Sequence, residues 1–272
     1  MTGTDGLTQD FTVTVSVPAI TAYSFQVAQN AGLAATSLGT ITGASIAVGV
    51  PPGTNVTGLV ATFTTTNASV TVGGVAQTSA ASPHDFTNPV IYTVTAADGT
   101  TQDFTVTVTV LLTSFSFTGA VGNEATFPAD GVNPGLAAIP VMSRARGTPT
   151  AAAGAFSGSG WNTAALDATH FYTFTVVPTS GASMTLTNLA LKDQRSGTGP
   201  VTFAVRSSRD GFSVNLQTFA SHLSLGRSDI VLGAAFANLT APIELRLYAF
   251  GASASAGTWR IDDVQLTGAI VP

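Results

Sequence analysis

From residue 98 onward the chain alternates, with Phe104, Val106, Val108 and Val110 on one face and Thr105, Thr107 and Thr109 on the other. A strict period of two with β-branched residues marks a half-buried strand whose hydroxyls face water. Asp98-Gly99 just before it is a two-residue hairpin signal, since both positions tolerate positive φ, and Tyr92 and Val94 across the turn supply the partner strand. The pattern occurs twice. Asp5 to Val17 copies Asp98 to Val110 at an offset of 93 residues, and Ala22-Tyr23-Ser24-Phe25 follows the first copy as Ser114-Phe115-Ser116-Phe117 follows the second. Residues 1–17 therefore read as the closing strand of a preceding repeat, and 18–112 as one complete unit.

Inside that unit Ser45 to Val50, Val56 to Thr64, Ser69 to Val72 and Pro89 to Ala96 read as strands, separated by Pro51-Pro52-Gly53, Gly73-Gly74 and Asn88-Pro89. After Phe115 the strands continue but the repeat does not. Phe171 to Val177, Met184 to Leu191, Val201 to Ser207, Ile243 to Phe250 and Thr258 to Leu266 alternate, with turn signals between them, and the Ala- and Gly-rich stretch Thr148 to Gly160 reads as a long loop. The predicted fold is all-β: an immunoglobulin-like β-sandwich over 18–112, then a jelly-roll β-sandwich over 113–272, with an extra N-terminal strand at 1–17.

Composition narrows the function. Of 272 residues 8% are charged, with 9 Lys and Arg against 14 Asp and Glu, which rules out a nucleic-acid partner. The imbalance is local: residues 1–143 hold seven acids and no base, whereas 144–272 hold all nine bases and seven acids. With no Cys, thiolate chemistry and disulfide frameworks are excluded. The longest apolar stretch, near Ile230 to Ala237, is well short of the roughly 18 residues a membrane span needs. Met1-Thr2-Gly3-Thr4-Asp5 lacks the basic and apolar regions of a secretory signal, so the chain is expected to be cytosolic, or a mature or truncated form.

Two resemblances add to this reading. The runs Ser45 to Val56, Leu59 to Phe63, Val70 to Gly74 and Asp85 to Gly99 resemble the cadherin-like or Ig-like β-sandwich repeats of bacterial surface proteins over about residues 1–112. This implies an exported, tandemly arrayed, non-catalytic spacer or adhesion module. Arg195 to Pro200, Val205 to Phe212 and Leu247 to Val264 resemble a jelly-roll domain of exported bacterial proteins, and Trp259 to Leu266 is similar to the last strand of carbohydrate-binding jelly rolls. That implies glycan binding or attachment, with no ligand residue mapped.

Candidate chemistry is sparse. His84, His170 and His222 are dispersed without zinc spacing, and there is no G-x-S-x-G elbow. The metal candidate is structural calcium, held by Asp262 and Asp263 of the last strand with Glu124 or Asp130 near the opening of the same domain; no other cofactor is expected. With a period of two, one of the paired Asp side chains must point inward and needs compensation, for which a salt bridge to Arg260, Arg246 or Arg206 is the competing partner. Trp161, Tyr172, Tyr248 and Trp259 are the aromatics that could stack on a sugar, against the alternative of core filling. Arg195, Arg206 and Arg209 offer an anion site, or lace adjacent turns together. Phe11, Val13, Val15 and Val17 form an apolar stripe fit for strand addition to a second copy.

The function expected is therefore that of a non-catalytic extracellular or bacterial cell-surface structural or adhesion protein, a repeat spacer carrying a jelly-roll tip or anchor. Two alternatives stand beside it: a carbohydrate-binding protein, whose partner is a polysaccharide, and a fibre subunit that assembles into a filament with copies of itself. No enzyme activity, nucleic-acid partner or membrane span is expected.

Overall fold

The computed structural model describes residues 17–33, 35–66, 68–161 and 164–271, and over these the protein is an all-β sandwich structure. The chain divides into two compact units. Thr36–Val48 and Asn55–Val108, with the segment up to Gly32, form the first; Leu33–Ala35, Gly49–Thr54 and Thr109–Pro272 form the second.

In the first unit Ser37–Thr42, Ile20–Phe25, Leu59–Thr65 and Pro83–His84 pair antiparallel in that order. Val75–Ala76, Ala68–Val72, Val90–Ala96 and the start of Thr101–Phe115 make a second antiparallel set. Tyr23 of one set meets Tyr92 of the other edge to face at 5.5 Å, and Phe25 meets Phe86 at 5.0 Å. Burial pushes the phenols of Tyr23 and Tyr92 above their usual range. Asn30 is buried but fully employed: its amide donates to the carbonyls of Gln26 and Val60 and its oxygen accepts from Val60 N–H, so it extends the ladder along Leu59–Thr65.

Phe104 and Val106 turn inward while Thr105 and Thr107 face water, as the alternation requires. The turn before them differs from the expected one. Only Gly99 is left-handed, at φ 84; Gly99 N–H donates to Ala96, and Asp98 instead accepts from the N–H and hydroxyl of Thr100. An Asp side chain that caps the next residue but one favours this wider turn over two consecutive positive φ values. Nor does the strand end at Val110. It runs to Phe115 with Leu111, Leu112 and Thr113 all buried. Leu111 faces Thr267 and Thr113 faces Leu266, so Leu112 is an extra residue, a β-bulge that resets the phase of the alternation.

The second unit has two antiparallel layers. One is six-stranded, in the order Thr126–Pro128, Val141–Arg144, Tyr172–Val176, Ile243–Phe250, Thr202–Ser207, Gln217–Ala220. The other is organised by the long strand Thr258–Val271, which pairs along one side with Ser183–Arg195 and along the other with Phe156–Ser159 and then residues 111–115. Gly226–Val231 adds to the far side of Ser183–Arg195. Between the layers lies one core that includes Phe115, Phe174, Leu189, Leu247 and Trp259.

Two expectations are corrected here. Thr148 to Gly160 is not one long loop, because Phe156–Ser159 is a strand buried at all four positions. Its small residues make room for larger neighbours: a Cβ on Gly158 would sit 2.9 Å from the Tyr172 hydroxyl and 3.3 Å from Arg144 Nη1. Arg144 lies over the Phe156 ring at 4.0 Å and donates to the carbonyls of Ser157, Gly122 and Glu124. The second correction concerns Asp262 and Asp263. Ala190 faces Gln265 and Lys192 faces Asp262, so a bulge at Asp263, with φ 47, breaks the period of two. Ile261 and Val264 are thereby both buried, and neither Asp has to enter the core.

Candidate functional site

The structure sets the expected sugar-stacking aromatics inside. Trp161, Tyr172 and Trp259 are core residues with no exposed face: Tyr172 stacks on Trp259 at 5.4 Å, and Trp161 on His170 at 3.7 Å. Their polar tips are used internally, Trp161 Nε1 on the Gly158 carbonyl, the Tyr172 hydroxyl on the Trp259 carbonyl, and Trp259 Nε1 on Asp193. Asp193, wholly buried, also accepts from the His222 N–H and lies 2.6 Å from His222 Nδ1. Rings so enclosed cannot meet a ligand, and Tyr248 is as little exposed, at 1%, which corrects the expectation for all four.

The proposed calcium ligands do not assemble. Glu124 accepts from the N–H groups of Val121 and Gly122, Asp130 holds Ser114 and Ser116, and Asp263 pairs with Lys192 at 2.8 Å. Among the described residues no group of three or more His, Cys, Asp or Glu is placed to hold a metal ion. Burial, and then the neighbouring Asp263, push the Asp262 carboxyl above its usual range. Of the strand-addition stripe, Phe11, Val13 and Val15 lie outside the described residues; Val17 is 70% exposed and its carbonyl accepts from the Thr66 hydroxyl.

Tyr248 leads elsewhere. In Ile243–Phe250 the residues Ile243, Leu245, Leu247 and Ala249 belong to the core, so Glu244, Arg246, Tyr248 and Phe250 project from the outer face of the six-stranded layer. Tyr248 is covered there by Phe171, ring centres 5.3 Å apart, and by the guanidinium of Arg206 at 5.6 Å. Arg246 is clamped between two rings, its guanidinium carbon 4.2 Å from the centre of Phe171 and 3.5 Å from that of Phe212. Such stacking fixes the plane of the cation and sheds part of its water. Glu244 accepts from Arg246 Nε at 2.6 Å and from the Thr173 hydroxyl at 2.9 Å. Burial works against the Arg246 cation, but the hydrogen bonds it donates to Glu244 and Tyr248 together hold it above its usual pKa.

Phe212 reaches this place through a strained backbone. The turn Ser208–Asp210 ends at Gly211, left-handed at φ 67, and Phe212 continues left-handed at φ 62. A bulky residue there costs about 1–3 kcal/mol and persists only where its surroundings hold it. Arg206 does so, donating from Nη1 to the Phe212 carbonyl and from Nε to Asn215. Arg206 thus laces a turn, as does Arg195 on the carbonyls of Ser196 and Gly197, whereas Arg209 is exposed. Glu244 and Arg246 could have been placed on this face from the alternation of Ile243–Phe250; the left-handed Phe212 has no such signal beyond the glycine before it.

Residues 23–108 match the family model described as SGBP, N-terminal, the surface glycan-binding proteins. No curated protein matches the chain. Among solved structures, the chain is similar to a proposed glycoside hydrolase from Bacteroides thetaiotaomicron at 15% identity, over 94% of this chain and 98% of that one, with a TM-score of 0.31. It is also similar to a xylan-binding domain from Paenibacillus barcinonensis at 11% identity, over 59% of this chain and 95% of that one, with a TM-score of 0.32.

Proposed function

We propose that this protein is a non-catalytic glycan-binding protein of the cell surface, in which the outer face of the six-stranded layer in the second unit holds the sugar and the first unit presents it. The family match over residues 23–108 supports the glycan and the location. The observation that carries the site is Phe212, kept in a left-handed backbone so that its ring lies on Arg246 above an otherwise flat sheet face. Sugar recognition needs a flat apolar surface for C–H faces and fixed polar groups for hydroxyls. Phe212 supplies the first, and Arg246, Glu244 and the exposed Thr175 supply the second. No helix among the described residues is long and apolar enough to cross a membrane, which leaves open a strand-built span.

Affinity electrophoresis through gels containing single soluble polysaccharides tests the reading. The wild-type protein should be retarded by at least one of them, Phe212→Ala should lose that retardation, and Lys192→Ala on the other layer should keep it. No retardation by any polysaccharide, or an equal loss in both variants, would contradict it.

A further inference from the structure

We propose that this site takes a glycan bearing carboxylate groups, and that Arg246 is the residue that meets the carboxylate. The inference rests on the glycan-binding reading above and names the class of sugar.

Arginine has five N–H donors arranged in one plane. In Arg246 the guanidinium lies over the rings of both Phe171 and Phe212, which cover it where they pack. Glu244 takes the Nε–H, and the Tyr248 hydroxyl is within reach of a second donor. Among the described residues no further acceptor meets the others, and the side chain keeps about a quarter of its surface exposed. What remains are the unused Nη–H groups of a cation held by two rings and Glu244, donors that a carboxylate can engage through both oxygens. A neutral hydroxyl would use one such donor, whereas a carboxylate uses two and makes both bonds charge-assisted.

The charge around the site points the same way. Of the nine basic residues, Arg206 and Arg246 contact Phe212 and Arg209 lies three residues before it, while Glu244 pairs with Arg246 and Asp210 caps the same turn. Both acids are already engaged, Glu244 by Arg246 and Thr173, Asp210 by the Val214 N–H. The local balance is thus positive on a chain whose net charge is −5. An acidic polymer would be disfavoured by the acidic residues 1–143 and accepted here, which confers selectivity and a salt dependence.

The test compares oligogalacturonate, oligoalginate and glucuronoxylan fragments, each before and after chemical reduction of its carboxyl groups, by titration calorimetry at 50 and 300 mM salt. At least one acidic form should bind about tenfold or more tightly than its reduced counterpart, and salt should narrow the gap. Arg246→Gln should bring the two forms to within about twofold of each other whatever it does to the affinity for the reduced form, and Arg246→Lys should recover part of the preference. Equal affinity for acidic and reduced forms, or an unchanged preference in Arg246→Gln, would overturn the inference and leave the glycan-binding site standing. Absence of binding to these and to every neutral polysaccharide would remove both.

Discussion

The two outer faces of the second unit use the same scarce supply of charge differently. On the face carried by Ser183–Arg195, Thr258–Val271 and Gly226–Val231, charges close on one another: Lys192 with Asp263, Arg227 with Asp229 and Gln265, Asn188 with Asp229, Gln194 with Arg260. A ligand there would have to break pairs already made. On the six-stranded face Arg246 pairs with Glu244 through Nε and Arg206 donates to Phe212 and Asn215, but both guanidinia also lie on aromatic rings, and a ring covers a guanidinium without consuming its N–H groups, so Arg246 keeps Nη–H donors unused. A charged surface is therefore not in itself a binding surface; what matters is whether its donors are left over.

The largest way to break this contrast is from beneath. Trp259→Ala removes a core ring and one of the hydrogen-bond donors to the buried Asp193, so it should destabilise the second unit by about 3–5 kcal/mol in denaturant unfolding and abolish binding with it. Next, Lys192→Ala combined with Arg227→Ala opens the paired network on the other face; such exposed pairs are worth about 0–1 kcal/mol, and glycan affinity should stay within twofold. Acid sharpens the picture of the interior. Burial pushes the His170 imidazole below its usual pKa, so the unfolded chain binds its proton more readily than the folded one. That contribution is present above about pH 6.5 and is lost as pH falls towards the lowered folded value, and thermal melts of His170→Gln should show a flatter pH profile there.

Asp262 carries the opposite sign. Its raised folded pKa means that the ionised form is disfavoured in the folded state, so stability recovers as pH falls through that pKa. Asp262→Asn should raise the melting temperature by roughly 1–2 °C at pH 7, and the gain should disappear in mild acid. The smallest expected effect is that of a chelator. With Glu124, Asp130 and Asp263 committed to protein partners, EDTA and added calcium should leave the melting temperature unchanged, and a shift of several degrees would restore the calcium reading.

What the sequence disclosed was whatever obeys a simple period. The alternation of Phe104 and Val106, the outward Glu244 and Arg246, and the all-β architecture were all legible. What escaped were departures from period: the bulges at Leu112 and Asp263, and the strand Phe156–Ser159, whose small residues have no strand propensity and are there to admit Tyr172 and Arg144. The site itself was only half legible. Trp161, Tyr172 and Trp259 attract notice as aromatics, yet large rings fill cores by default, and the rings that reach the surface arrive through a loop conformation at Phe212 that no pattern announces.

The most direct measurement is backbone amide NMR of the full chain during titration with the polysaccharide fragment that retards it most. Shifts confined to Phe171 to Thr175, Ser207 to Asn215 and Glu244 to Phe250 are predicted. Perturbations centred instead on Lys192, Arg227 and Asp262 to Gln265, or on the first unit, would contradict the assignment of the six-stranded face as the site.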